Sequence, residues 1–237
     1  MRKILKNSVL SGLFLFLITF TALLTYLHFF ASDDKDLSGN WTAKLDMTKQ
    51  SAVTALSWLQ DIEAVSISLE EMEDYMQNLT IEVNLTLEQT GNSEGTFHCN
   101  ILPESYDACN QAAYEAFAAA FEDLLTERLR MAGYTGETDK ETIEALVTET
   151  FGMSTVSYLK SCGAQLLPSL EDLQAQYDGS GIYKTAEDIL TRQFDDGQAV
   201  TTKTEYYIRK DSSLILYEER DSGYSSVIYT LQQAPNR

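Results

Sequence analysis

Leu79-Thr80-Ile81-Glu82-Val83-Asn84-Leu85-Thr86-Leu87-Glu88 runs into Thr90-Gly91-Asn92-Ser93-Glu94-Gly95 and then into Thr96-Phe97-His98-Cys99-Asn100-Ile101-Leu102. In the first segment the odd positions are aliphatic and the even ones polar, the period-two pattern of a strand with one buried face. The middle segment has the Gly and Asn chemistry of a turn. The return segment places Phe97, Cys99 and Ile101 in one phase, so the whole stretch reads as a β-hairpin.

Working outward, Gly39 to Met47 alternates in the same way, with Trp41, Ala43, Leu45 and Met47 on one face. Between it and the hairpin lie a helical stretch, Lys49 to Asp61, whose Val53, Leu56 and Ile62 recur at helical spacing, and a short helix running to about Gln77. Ser68-Leu69-Glu70-Glu71 opens that second helix as a capping box: the serine oxygen caps a free amide while Glu71 reaches back. After the hairpin the period changes. From Pro103 to Ala132 the residues Cys109, Ala113, Phe117, Ala120, Phe121, Leu124, Leu125 and Leu129 repeat at helical spacing, and Gly133 stops the helix. Thr138 with Glu141 predicts a second capping box, leading a stripe of Ile143, Leu146, Val147 and Phe151. Further helices follow over Ser154 to Cys162 and from Ser169. These stripes read as core packing, because no ligand-type side chains interrupt them. Strands then resume: Gly181 to Thr185, Asp188 to Phe194, Ala199 to Arg209, Leu214 to Glu219 and Ser226 to Gln232. The short connections Asp195-Asp196-Gly197, Lys210-Asp211-Ser212 and Asp221-Ser222-Gly223 suit an antiparallel meander of about eight strands with one helical insertion, residues 103–177.

The amino end decides topology. Residues 1–8 carry Arg2, Lys3 and Lys6, residues 9–31 are an apolar run without charge, and Asp33, Asp34 and Asp36 follow. A helix needs about 20 apolar residues to cross the hydrocarbon core. Basic residues before the run and acidic ones after it put residues 1–8 in the cytoplasm and the rest outside the cell membrane. Phe29 stands where a cleavable signal wants a small residue before a cut after Ala31, so the run reads as an uncleaved, single-pass signal anchor. No cysteine precedes Cys99, which argues against a lipid anchor at this end. His28 reads as an interfacial residue at the outer edge of the span. Residues 32–36 form a polar linker.

Of the 17 Lys and Arg residues three precede the apolar run, and none of the 36 Asp and Glu residues does, so the outer part carries 14 against 36, a net −22. Such a surface repels phosphate backbones, and no nucleic-acid role is expected. Three cysteines, Cys99, Cys109 and Cys162, allow at most one bridge and have no zinc-site spacing. Cys99 and Cys109 are either bridged or buried free thiols. Two histidines leave little room for His-based catalysis or metal binding. Neither Asp33-Asp34-Lys35-Asp36 nor Asp195-Asp196-Gly197 continues with the ligand spacing of a calcium loop. The sequons at Asn40, Asn78 and Asn84 read as chance, Asn84 lying in the middle of a strand.

An up-and-down meander opening on Gly39-x-Trp41 resembles the lipocalin (calycin) superfamily, and in particular the lipocalin-like domains of secreted or membrane-tethered proteins of Gram-positive bacteria. The resemblance rests on Leu37-Ser38-Gly39-Asn40-Trp41-Thr42-Ala43-Lys44-Leu45-Asp46, on the hairpin Thr90-Gly91-Asn92-Ser93-Glu94-Gly95-Thr96-Phe97, on the acidic helical insertion and on Gly179-Ser180-Gly181-Ile182-Tyr183-Lys184. It spans residues 37–233. It implies that Trp41 packs at the closed end of a barrel in a structural role. The long insertion departs from the family pattern and would plug or lid the end where family members take ligand.

The predicted fold class is therefore α+β: a transmembrane helix, then an antiparallel lipocalin-like β-barrel or strongly curved sheet of about eight strands with a helical insertion. An interior of this size holds side chains or one small ligand. The inward, ligand-facing candidates are Leu85, Leu87, Phe97, Tyr206, Ile208, Tyr229 and Leu231, and their competing role is simply to fill the core. The 13 tyrosines, dense near the carboxyl end, are chiefly strand residues. Neither Gly-x-Ser-x-Gly, His-Glu-x-x-His nor a phosphate loop occurs, so no catalytic residue, cofactor or metal is assigned and the chain is not expected to be an enzyme. Two partners remain beside the membrane: a small apolar ligand or peptide in the barrel, or another envelope protein on a filled one.

Overall fold

The computed structural model describes residues 36–60, 67–163, 165–195, 200–218 and 226–232. Eight antiparallel strands follow one another around a closed barrel, consistent with a lipocalin-like fold: β1 (Gly39–Asp46), β2 (Thr80–Gln89), β3 (Glu94–Ile101), β4 (Gly179–Ala186), β5 (Ile189–Asp195), β6 (Val200–Lys210), β7 (Ser213–Tyr217) and β8 (Val227–Leu231). The last strand closes on the first, with Trp41 opposite Leu231 and Ala43 opposite Tyr229. The hairpin forms in the expected phase: Val83 faces Ile101, Leu85 faces Cys99 and Leu87 faces Phe97, and all six are buried.

Following chain direction around the barrel separates its two ends. At one end lie the tight turns 90–93, 187–188 and 211–212, where Glu187 and Asp211 take left-handed φ of 56° and 52°. At the other end lie the β1–β2 and β3–β4 connections, and these hold every helix of the described residues. They are α1 (Thr48–Gln60), α2 (Leu69–Tyr75), α3 (Pro103–Met131), α4 (Lys140–Phe151), α5 (Thr155–Ser161) and α6 (Leu170–Tyr177). The helix α3 packs on β2 and α6 on β3. Among the described residues no helix is long and apolar enough to cross a membrane, and the span read at residues 9–31 lies outside them.

Local signals explain the helix limits. Ser68 caps α2 as expected: its Oγ accepts from Glu71 N–H at 3.2 Å, and its own N–H donates to Glu71 Oε2 at 2.8 Å. Pro103 opens α3, where its missing N–H costs nothing. Gly133, at φ +82°, ends that helix in the left-handed region open to glycine.

Two expectations are corrected and one open alternative is decided. The cap of α4 is Asp139, whose Oδ1 accepts from Thr142 N–H at 2.9 Å, and not Thr138, which instead accepts from Arg130 Nη2 at 3.0 Å. A carboxylate suits the positive end of the helix dipole better than a hydroxyl. On α1 the buried face is Ser51, Ala52, Ala55 and Leu59, while Val53 is 48% exposed. The alanines let α1 approach its neighbour α2 closely, which outweighs the larger aliphatic side chain. Ile62 lies outside the described residues. Cys99, Cys109 and Cys162 are all free thiols, the first two buried, so the bridge alternative is closed.

A methyl group added at Gly95 would sit 2.2 Å from the Glu88 carbonyl oxygen and 2.6 Å from the Tyr183 ring. Gly95→Ala is expected to cost about 2 kcal/mol or more in urea unfolding, the usual scale of forced overpacking.

Candidate functional site

The inward positions of β4 to β6 build the most unusual part of the molecule. Leu190, Arg192 and Phe194 alternate on β5, and Lys203, Glu205 and Tyr207 on β6. In the register Arg192 lies opposite Lys203 and Leu190 opposite Glu205, so Arg192 and Glu205 are diagonal neighbours on one face. Arg192 Nε donates to Glu205 Oε2 at 2.9 Å and Nη2 donates to the same oxygen at 2.5 Å. Both residues are 5% exposed. Lys203 Nζ lies 3.2 Å from the other oxygen, Glu205 Oε1, and 3.3 Å from Glu218 Oε1 nearer the surface. The interior pair is thereby linked to the outside through one half-buried ammonium.

Two rings hold the guanidinium. Its central carbon lies 5.6 Å from the centre of Phe97 and 5.5 Å from that of Phe194, and the rings meet edge to face at 4.9 Å. Phe194 fits because β4 carries glycines opposite it: a Cβ at Gly179 would stand 2.5 Å from the Phe194 ring. Cys99 and Tyr229 complete the layer with a hydrogen bond between their side chains. Burial pushes the Cys99 thiol up to about 11, only partly opposed by the positive field of Arg192. Burial also raises the Tyr229 phenol. Both stay protonated at neutral pH, so the thiol is not a nucleophile here. Tyr177, the last residue of α6, lies near Lys203, Glu218 and Cys99 and is itself shifted upward by burial.

The expected interior residues divide. Leu85, Leu87, Phe97 and Tyr229 are buried inside the barrel, and Leu231 is packed against the same core. Trp41 is buried, donates from Nε1 to the Leu37 carbonyl at 2.9 Å and has the Arg209 guanidinium 5.9 Å from its ring. Tyr206 and Ile208, by contrast, face outward, Tyr206 stacking on Tyr217 and Ile208 being 48% exposed. The expected phase of β6 is thus corrected: the inward positions are not Tyr206 and Ile208 but Lys203, Glu205, Tyr207 and Arg209. This phase wins because Glu205 must meet Arg192. Arg192 was itself the overlooked signal, a cation in the apolar phase of a strand, since such a group needs an inward anion to be buried. Outside, Ile208, Ile215 and Ile228 stand in register on three adjacent strands.

Among the described residues no three His, Cys, Asp or Glu side chains come together to hold a metal ion. Comparison with known proteins finds no match: no family model, no curated protein and no solved structure matches the chain.

Two measurements check the site. Tyr207→Lys is expected to destabilise the fold by about 3 kcal/mol or more, and Ile208→Lys by about 0.5 kcal/mol or less. Arg192→Met alone should cost about 3 kcal/mol by stranding Glu205, and the double replacement Arg192→Met with Glu205→Met should recover most of that loss in a denaturation cycle.

Proposed function

We propose that the chain is a membrane-anchored, extracytoplasmic interaction domain of the cell envelope whose barrel is filled rather than open. The observation that carries this reading is the central layer of the barrel. Phe97, Cys99, Tyr183, Leu190, Arg192, Glu205, Leu214, Leu216 and Tyr229 are each no more than 5% exposed, so this layer is closely packed with side chains, which supports a filled interior. The interior polar groups are also spent on one another: Arg192 on Glu205, Cys99 on Tyr229. A ligand pocket instead keeps a few polar groups converging on empty space. The position of all described helices at one end supports the same reading, since that is the end where an open barrel of this type would take ligand.

The anchor belongs to this proposal on the strength of the sequence: basic residues 2–6, the uncharged run 9–31 and the acids that follow. So does the resemblance to tethered lipocalin-like domains of Gram-positive bacteria. No catalytic role is proposed, because the buried thiol and phenol are held protonated and the buried carboxylate is neutralised by arginine.

Titration of residues 32–237 with a fluorescent medium-chain fatty-acid analogue is expected to show no saturable binding. Saturable one-to-one binding, lost in a variant that blocks the barrel, overturns the filled-barrel reading. Protease added to intact cells should remove residues 33–237; protection in intact cells with digestion after permeabilisation reverses the topology.

A further inference from the structure

Within the helical insertion, α4 buries few side chains, although Phe151 near its end stacks on Tyr158 of α5 at 4.1 Å. Its buried side chains are Ile143 and Val147, and neither belongs to the main hydrophobic cluster, which does include Leu159 of α5. Beside these two aliphatic residues lies a second buried polar group. Glu122, on α3, is 6% exposed, and its Oε2 receives no hydrogen bond. Its carboxyl group is at hydrogen-bonding distance from that of Glu144 on α4. Glu144 in turn is tied to α5: Thr155 N–H donates to its two oxygens at 3.2 and 3.3 Å, and Thr155 Oγ1 donates to Oε2. Three helices thus converge on two carboxyl groups.

Two carboxylates in contact have no hydrogen to share and repel each other; one proton between them supplies both the donor and the neutralisation. We propose that Glu122 and Glu144 hold a single proton between them, and that this proton fastens α4 to α3 as a pH-operated latch on the helical insertion.

The surroundings set its direction. A cavity of about 380 Å³ beside the pair is lined by Asp123, Glu127 and Arg130 of α3 and by Lys140 of α4. From α2, the Tyr75 phenol donates to Asp123 at 2.6 Å, and Glu71 lines the adjoining groove. Burial raises Glu122, helped by its contact with Glu144, and a hydrogen bond from Thr155 and the charge of Lys140 only partly oppose this. Burial also pushes Glu144 upward, but the hydrogen bonds from Thr155 and Glu122 together outweigh it and hold its carboxyl below the usual range. Glu122 therefore keeps its proton at a pH where the unfolded chain has lost it. The latch weakens as pH rises through the folded Glu122 titration, and it weakens again as pH falls through that of Glu144. A divalent cation is the less suited occupant: two carboxyl groups and one hydroxyl fall short of the roughly 6–8 oxygens calcium takes, and Lys140 already stands beside them.

The test is hydrogen-exchange protection of residues 140–151 in the full chain, in metal-free buffer, from mildly acidic to mildly alkaline pH. Protection in wild type is expected to fall by up to about tenfold per pH unit above the Glu122 titration, with β2 amides unchanged. Glu122→Gln, which keeps a donor without the charge, should hold protection flat with pH. Glu144→Gln, which removes the partner charge that helps raise Glu122, should move the fall to lower pH without touching β2. A flat wild-type profile overturns the latch, as does an unchanged fall in both variants. Restoration of wild-type protection at alkaline pH by calcium chloride also overturns it, assigning the pair to a cation.

Discussion

Closing eight strands on themselves leaves an interior about as wide as the side chains that point into it, and most of what distinguishes this protein follows from how that space is filled. Every inward position must agree in size with the positions around it. Phe194 packs against Phe97 because Gly179 gives up the volume beside its ring, and Gly95 does the same for Tyr183, while Gly181 makes room for the β5 backbone at Gln193. Most of the lining is apolar or aromatic in kind, yet the centre carries a guanidinium and a carboxylate. That arrangement is stable because each desolvated charge has the other within hydrogen-bond distance and the rings stack against the cation.

The same constraint orders the rest of the fold. Tight turns gather at one end, where β-hairpin geometry suffices, and the two long connections carry all the described helices to the other. The cap they form is not uniform. The helix α3 continues the main core through Cys109, Ala113, Phe117 and Ala120, and Trp58 of α1 meets Phe117 edge to face at 5.5 Å. Further out, α4 buries only Ile143 and Val147 and is held besides by the stacking of Phe151 on Tyr158 and by polar contacts. Stability is therefore graded from the barrel outward, the condition under which an outer helix responds to solution conditions while the barrel does not.

Much of the barrel was legible in the linear pattern. Leu79 to Leu87 and Phe97 to Ile101 alternate so cleanly that their phase, their turn and their buried face could be read directly, because a one-residue slip would have exposed every aliphatic group. The helix limits at Ser68, Pro103, Gly133, Ser154 and Ser169 were legible for a similar reason: caps are chemistry local to a few residues. On β6 the pattern failed, because Tyr206, Tyr207 and Ile208 are consecutive and either phase buries something apolar. On α1 it failed because the buried alanines carry little hydrophobic signal and owe their place to a neighbouring helix.

By itself, then, the sequence determined what depends on near neighbours along the chain: the number and kind of elements, the hairpin, the change of period at Pro103, the acidic surface and the uncharged run at the amino end. Only the tertiary structure decided which of two phases β6 takes, that Arg192 and Glu205 meet in the barrel, that the cysteines stay apart, and that Glu122 and Glu144 come into contact from different helices. For the phase of β6, the ion pair and the carboxyl pair the physical reason is the same. They join residues 13 positions apart for the ion pair and 22 for the carboxyl groups, and what selects them is the cost of burying a charge without a partner, a cost that exists only once the chain has closed around it.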